Sequence, residues 1–152
     1  MYNNIIRTLS TSMTKNNYRL MFDGGSRGNP GICGAGAVLY KNNKEIWSAS
    51  EMVSKHNTNN FAEYKALLLG LHKAVELNID ILHVQGDSQL ILNQVYGNWN
   101  VKNETLKQLH SSAIIYNNQI EKITYEHIRR KYNKRADELA NMALNNYLNK
   151  KR

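Results

Sequence analysis

The chain has 152 residues, 41% hydrophobic and 21% charged, enough for one compact domain with a real core. No stretch approaches the ~20 apolar residues needed to span a bilayer. The single cysteine, Cys33, excludes an internal disulfide and a cysteine-pair metal site and permits a reducing compartment. A net charge of +8 favours polyanionic partners, nucleic acid first and an anionic membrane surface second. AT-rich coding produces the same Lys- and Asn-rich composition, so charge alone does not decide.

Residues 1–17 contain no acid and no clear apolar period, and read as a flexible tail. Their Arg/Ser/Thr content also fits an organelle transit segment, and Met13 fits an alternative start. Residues 18–23 alternate as a strand and end in a glycine-rich turn. Residues 33–40 and 45–53 read as a hairpin about the Asn42–Asn43 turn. Thr58 is the N-cap of a helix whose apolar stripe is Ala66, Leu67, Gly70, Leu71 and Ala74. Residues 81–86 form a buried strand, and Ser88 opens a helix carrying Leu90, Ile91 and Val95. A further helix starts at Asn103 or Glu104, with Leu106, Leu109, Ala113 and Ile114 on one face. Residues 122–127 alternate again, and residues 134–148 close the chain as a helix with Leu139, Met142 and Ala143 inward. The order βββαβααβα predicts an α/β fold with a single five-stranded mixed sheet, antiparallel at one side and parallel at the other, flanked by helices on both faces.

The acids fall where a site would need them. There are only four aspartates, Asp23, Asp80, Asp87 and Asp137. Asp23 and Asp87 close predicted strands; as parallel neighbours, both would emerge at one sheet edge, where open α/β folds place their sites. Glu63 and Asp137 fall near the starts of two helices that can point back to that edge. Taken singly, acids at helix starts merely complement the helix dipole. Gathered together, four carboxylates repel one another, and such clusters persist mainly where divalent cations offset the charge. An all-carboxylate set suits Mg²⁺ or Mn²⁺ rather than zinc. On a basic protein it points to phosphoryl transfer, where two ions about 4 Å apart stabilise both oxygens of a phosphodiester displacement.

Four strings carry a family resemblance: D-G-G-S-R-G-N-P-G at residues 23–31, T-N-N-F-A-E-Y at 58–64, G-D-S-Q at 86–89 and H-I-R-R-K-Y-N-K-R-A-D-E-L-A-N at 127–141. In this order and spacing, over roughly residues 18–148, they resemble the type 1 ribonuclease H (ribonuclease HI) family. The resemblance implies a ribonuclease H-like fold over residues 18–152. It also implies endonucleolytic hydrolysis of the RNA strand of RNA–DNA hybrids with two Mg²⁺ ions, Mn²⁺ being a substitute, leaving 5′-phosphate and 3′-hydroxyl ends. Asp23 would bridge both ions, Glu63 and Asp87 would complete one site, and Asp137 would help hold the other.

His127, ten positions before Asp137, matches the family's mobile histidine. Its implied role is proton transfer or product release; a solvated loop histidine is the plainer alternative. Asn29, Asn59, Asn60 and Gln89 match positions that contact the hybrid's minor groove and ribose 2′-OH groups, work that amides suit because they donate and accept. Asn59 and Asn60 also read as helix caps beside Thr58. Thr58 resembles a contributor to a pocket for a DNA-strand phosphate. Gly24 and Gly25 would admit the sugar-phosphate chain close to the backbone, or simply make a tight turn. His56, His72, His83 and His110 match no family role.

Two departures matter. Arg129 stands where many relatives have proline, and residues 95–107 carry just Lys102 and Lys107, resembling the branch without a basic protrusion. No aromatic-rich N-terminal hybrid-binding domain is expected either, so affinity falls to Arg129, Arg130, Lys131, Lys134 and Arg135. Trp99 either stacks on nucleic acid or packs in the core, and the core is the expectation. The resulting picture is a monomer with no membrane association in a reducing intracellular compartment: cytoplasm or nucleus, or an organelle if residues 1–17 are a transit segment. The rivals are a non-catalytic hybrid-binding module of the same fold, against which all four acids stand, and another nuclease or strand-transfer enzyme of the superfamily, such as an integrase or exonuclease. Those enzymes lack G-N-P-G and T-N-N in this arrangement.

Overall fold

The computed structural model describes residues 16–150; the expectations on residues 1–15, including Met13 and the transit segment, lie outside them. In chain order the elements are β1 (Tyr18–Arg27), β2 (Gly31–Lys41), β3 (Lys44–Asn57), α1 (Asn59–Glu76), β4 (Ile81–Gly86), α2 (Gln89–Tyr96), α3 (Glu104–Asn118), β5 (Lys122–His127), a 3₁₀ turn (Arg130–Tyr132) and α4 (Lys134–Lys150). They form a five-stranded sheet in the order β3-β2-β1-β4-β5. Strands β1, β2 and β3 pair antiparallel, and β4 runs parallel to both β1 and β5. This is the mixed sheet that the element order predicts.

The β2–β3 hairpin turns on Asn42 and Asn43, with φ of 51° and 68°, a left-handed conformation that Asn tolerates better than most residues. Asn16 and Asn17, read as the end of a tail, are tied to that turn: the Asn17 amide donates to Asn42 Oδ1 at 2.9 Å, and Asn42 Nδ2 to Asn16 Oδ1 at 3.3 Å. Strand β1 runs further than expected. Gly24 and Gly25 are not a turn but pair with Ala35 and Gly34 of β2, and the chain reverses only at Gly28, whose φ is 81°.

Helices α1, α2 and α3 cover one face of the sheet around a core that includes Leu20, Phe22, Leu39, Tyr64, Leu67, Leu71 and Ile91. Each large apolar side chain buried there contributes about 1.5–3 kcal/mol. The other face receives α4, whose Ala136 and Leu139 pack on Met21 and Val38. The small residues of β2 make that approach possible: a Cβ on Gly34 or Gly36 would lie 2.5 or 2.3 Å from the Ala140 or Ala136 carbonyl oxygen. Met142, expected inward, is 41% exposed, because a helical stripe phased on Ala136 and Leu139 continues through Ala140, Ala143 and Leu144. Trp99 also corrects its expectation. The core beneath α2 is filled by Ile91, Leu92 and Val95, and Trp99 follows the Gly97 C-cap as a 47% exposed side chain.

Candidate active site

Parallel pairing of β1 with β4 sets Phe22 beside Gly86, so the residues that follow, Asp23 within β1 and Asp87 just past the end of β4, lie where the two strands part. Helix α1 starts beside that edge because Thr58 caps it, its hydroxyl oxygen accepting from the Phe61 amide at 3.2 Å. Gly24 lets α1 come close: a Cβ there would lie 2.3 Å from the carbonyl carbon and oxygen of Ala62. The glycine therefore serves helix packing rather than a turn, and it brings Glu63 onto the strand ends.

Ligand oxygens of Asp23, Glu63 and Asp87 all lie within 4.8 Å of one another. Asp137, in the first turn of α4, stands outside this trio but lines the same cleft of about 380 Å³. Asp23 and Glu63 are only 8% and 7% exposed. Burial, with the charge of Asp87 next, pushes the Asp23 carboxyl up to about 7, and Asp137 adds to the same pressure. Burial and the charge of Asp23 hold Glu63 well above the usual carboxylate range. Glu63 Oε2 is buried with no hydrogen-bond partner. A crowded, desolvated, all-oxygen donor set with an orphaned carboxylate oxygen fits a hard divalent cation, which would satisfy that oxygen and reverse the pressure on the carboxyls.

The neighbouring residues follow from the same packing. Asn59 is not a cap: its Oδ1 accepts from the Ser26 amide at 2.7 Å, while its own amide donates to Asn29 Oδ1 at 3.1 Å. These two asparagines lock the β1–β2 turn to the start of α1. Asn60 makes no side-chain hydrogen bond among the described residues. Gly25 lines the cleft, and a Cβ there would meet nothing within 4 Å. His127, exposed at the end of β5, places Nε2 3.3 Å from the Asp87 carbonyl oxygen. It lines, with Gln89, an adjoining groove between α2 and β5. Of the basic residues, Arg130 lies 3.6 Å from Asp137, and Arg135 is held by Glu45 at 2.8 Å and Glu138 at 3.2 Å.

Sequence reasoning missed two residues. Arg27 lines the cleft and donates to Asn145. Asn133 is fully buried and donates from Nδ2 to the Phe22 carbonyl at 2.8 Å and to Asp87 Oδ2 at 3.1 Å. No helix among the described residues is long and apolar enough to cross a membrane.

Comparison with known proteins places this geometry. A family model described as reverse transcriptase-like matches residues 21–143. A Mycobacterium tuberculosis protein named as bifunctional is 41% identical over 123 residues, covering 80% of this chain; the chain spans only 34% of that relative's length. The solved N-terminal RNase H domain of that protein superposes with a TM-score of 0.85 at 35% identity, covering 91% of this chain and all of that domain. A ribonuclease H of Francisella philomiragia is 35% identical over 146 residues, covering 86% of this chain and 92% of the relative. The RNase H1 LC11, solved in complex with an RNA/DNA hybrid, gives a TM-score of 0.81 at 32% identity, with 87% of this chain and 99% of that one covered.

Proposed function

Because the chain belongs to the type 1 ribonuclease H family, we propose that it hydrolyses the RNA strand of RNA–DNA hybrids endonucleolytically, leaving 5′-phosphate and 3′-hydroxyl ends. The observation that carries the reading is the buried trio Asp23, Glu63 and Asp87, with ligand oxygens within 4.8 Å of one another at an open sheet edge. Asp23 would be shared between two cations, Glu63 and Asp87 completing one position and Asp137 helping to hold the other. When bound, Mg²⁺, or Mn²⁺ as a substitute, supplies activation of the attacking water and charge stabilisation at the leaving oxygen.

The protein's own groups recognise the substrate and move the proton. Asn59 and Asn29 each spend their Oδ1 inside the protein, which fixes the amide and leaves Nδ2 to donate. Donors of that kind suit the acceptors of a minor groove and the 2′-OH that marks RNA. Asn60 and Gln89 extend the amide surface, and Gly25 lets the backbone approach. Thr58 would contribute to a pocket for a DNA-strand phosphate. His127 is exposed and close enough to Asp87 to pass a proton at the cleft's edge or to assist product release. All four acids come from one chain, which supports a site complete in a monomer.

The test is incubation of the purified chain with Mg²⁺ and end-labelled RNA–DNA hybrid, single-stranded RNA, double-stranded RNA or double-stranded DNA. Cleavage confined to the hybrid's RNA strand, with phosphatase-sensitive 5′ ends, is expected. Preferential cutting of double-stranded DNA, or hybrid binding without cleavage in Mg²⁺ or Mn²⁺, would overturn the reading.

A further inference from the structure

Asn133 lies at the point where β1 and β4 part and the last helix begins. Its side chain is fully buried, and both Nδ2 hydrogens are used: one bond runs to the Phe22 carbonyl at 2.8 Å, the other to Asp87 Oδ2 at 3.1 Å. Its backbone carbonyl accepts from the Asp137 amide at 3.1 Å, within the first turn of α4. One residue thus touches the peptide before Asp23, the carboxylate of Asp87 and the backbone of Asp137.

Chemistry fixes the amide's orientation. Turned over, Asn133 would set its oxygen against a carbonyl and a carboxylate, three acceptors with no hydrogen among them. In the observed orientation Oδ1 is buried with no partner. That orphaned acceptor costs stability, and an apolar residue of similar size would not carry the cost. The arrangement makes sense where the direction of the Asp87 carboxylate matters more than the last increment of stability. The Nδ2 bond holds Oδ2 and so fixes the plane in which the Asp87 carboxylate meets Asp23 and Glu63.

We propose that Asn133 is a positioning residue that presents Asp87 to a divalent cation shared with Asp23 and Glu63 and couples that presentation to the start of α4. The proposal rests on the reading of the acidic edge as a metal site. Asn133 touches neither cation nor substrate in this scheme; it acts through Asp87, as hydrogen-bond partners of metal ligands do.

The test is Mn²⁺ titration of the full chain followed by electron paramagnetic resonance, without nucleic acid. It compares wild type, Asn133→Ala, Asp87→Asn and the double variant, each shown to be folded by its thermal melt in EDTA. Asn133→Ala should weaken Mn²⁺ binding about 10- to 100-fold. That loss should largely vanish once Asp87→Asn is present, because the two act as one unit. If Asn133→Ala does not fold, Asn133→Leu, of similar size and likewise without a donor, takes its place in the same cycle. Unchanged Mn²⁺ affinity in the folded variant, or an equal loss in both backgrounds, would overturn the proposal. The readout contains no hybrid: a wild type that binds Mn²⁺ but cuts nothing overturns the nuclease reading alone, and one that binds no Mn²⁺ overturns both.

Discussion

Asp23 is a carboxylate in an unfavourable place, and its pH behaviour follows from that. Its carboxyl, ordinarily near 3.8, is pushed up to about 7 by burial and by Asp87. Between those values the folded chain holds a proton that the unfolded chain has released, so stability falls as pH rises through the window. Above about 7 the whole cost is present. Without metal, the melting temperature should therefore drop between about pH 4 and about pH 7 and level off above it, and Mg²⁺ should restore it most at the alkaline end. Melts in EDTA across that range check the sign; a metal-free melting temperature that climbs through pH 7 contradicts it. On the proposed role of its imidazole in proton transfer or product release, His127→Ala should lower kcat about 100-fold with little change in KM; steady-state kinetics separate the two. The acids were legible in the sequence because each falls near a predicted strand end or helix start and each lies within one of the four motifs that carry the family resemblance. Asn133 was not, because asparagine is common throughout and nothing local marks the one whose side chain is buried.

At the scale of elements, Gly24 is the contact that decides where Glu63 sits. Replacing it with Ala forces a Cβ to within 2.3 Å of the Ala62 carbonyl, backbone that yields only if α1 shifts. Gly24→Ala should cost about 1–3 kcal/mol of stability and weaken Mn²⁺ binding, although it removes no ligand. Thermal melts and metal titration check both parts; a variant that melts and binds as wild type does would show that α1 is not held by this contact. Strand identities and both asparagine-turn residues could be read from alternation and turn chemistry. The extension of β1 through Gly24 and Gly25 could not, because a glycine pair reads locally as a turn and only the helix packed against it shows otherwise. Leu139 and Ala143 are buried as expected; Met142 was misplaced because it falls at the margin of the α4 stripe, and Trp99 because the sequence does not reveal that Ile91, Leu92 and Val95 fill the core beneath α2.

The whole chain carries a net charge of +8, while among the described residues the cleft is lined by Arg27 and Arg130 beside its four acids. Arg135 is already committed to Glu45 and Glu138, whereas Arg129, Lys131 and Lys134 stand in no ion pair among the described residues. Hybrid affinity should fall with salt at a log–log slope of about 3, and Lys134→Ala should lower that slope by about 1 while Arg135→Ala leaves it unchanged. Fluorescence anisotropy in EDTA gives the slope directly, and an Arg135→Ala effect equal to that of Lys134→Ala would contradict the assignment. The mixed topology itself was legible from element order, since three strands joined by tight turns followed by helix-separated strands leave few arrangements. The central claim is that the carboxylate edge is a metal-dependent hybrid nuclease site. Its most direct measurement compares wild type with Asp23→Asn on end-labelled RNA–DNA hybrid in Mg²⁺ and in EDTA. The account predicts cleavage by wild type in Mg²⁺ only, with the variant folded and silent; cleavage by the folded variant at the wild-type rate, or by wild type in EDTA, would contradict it.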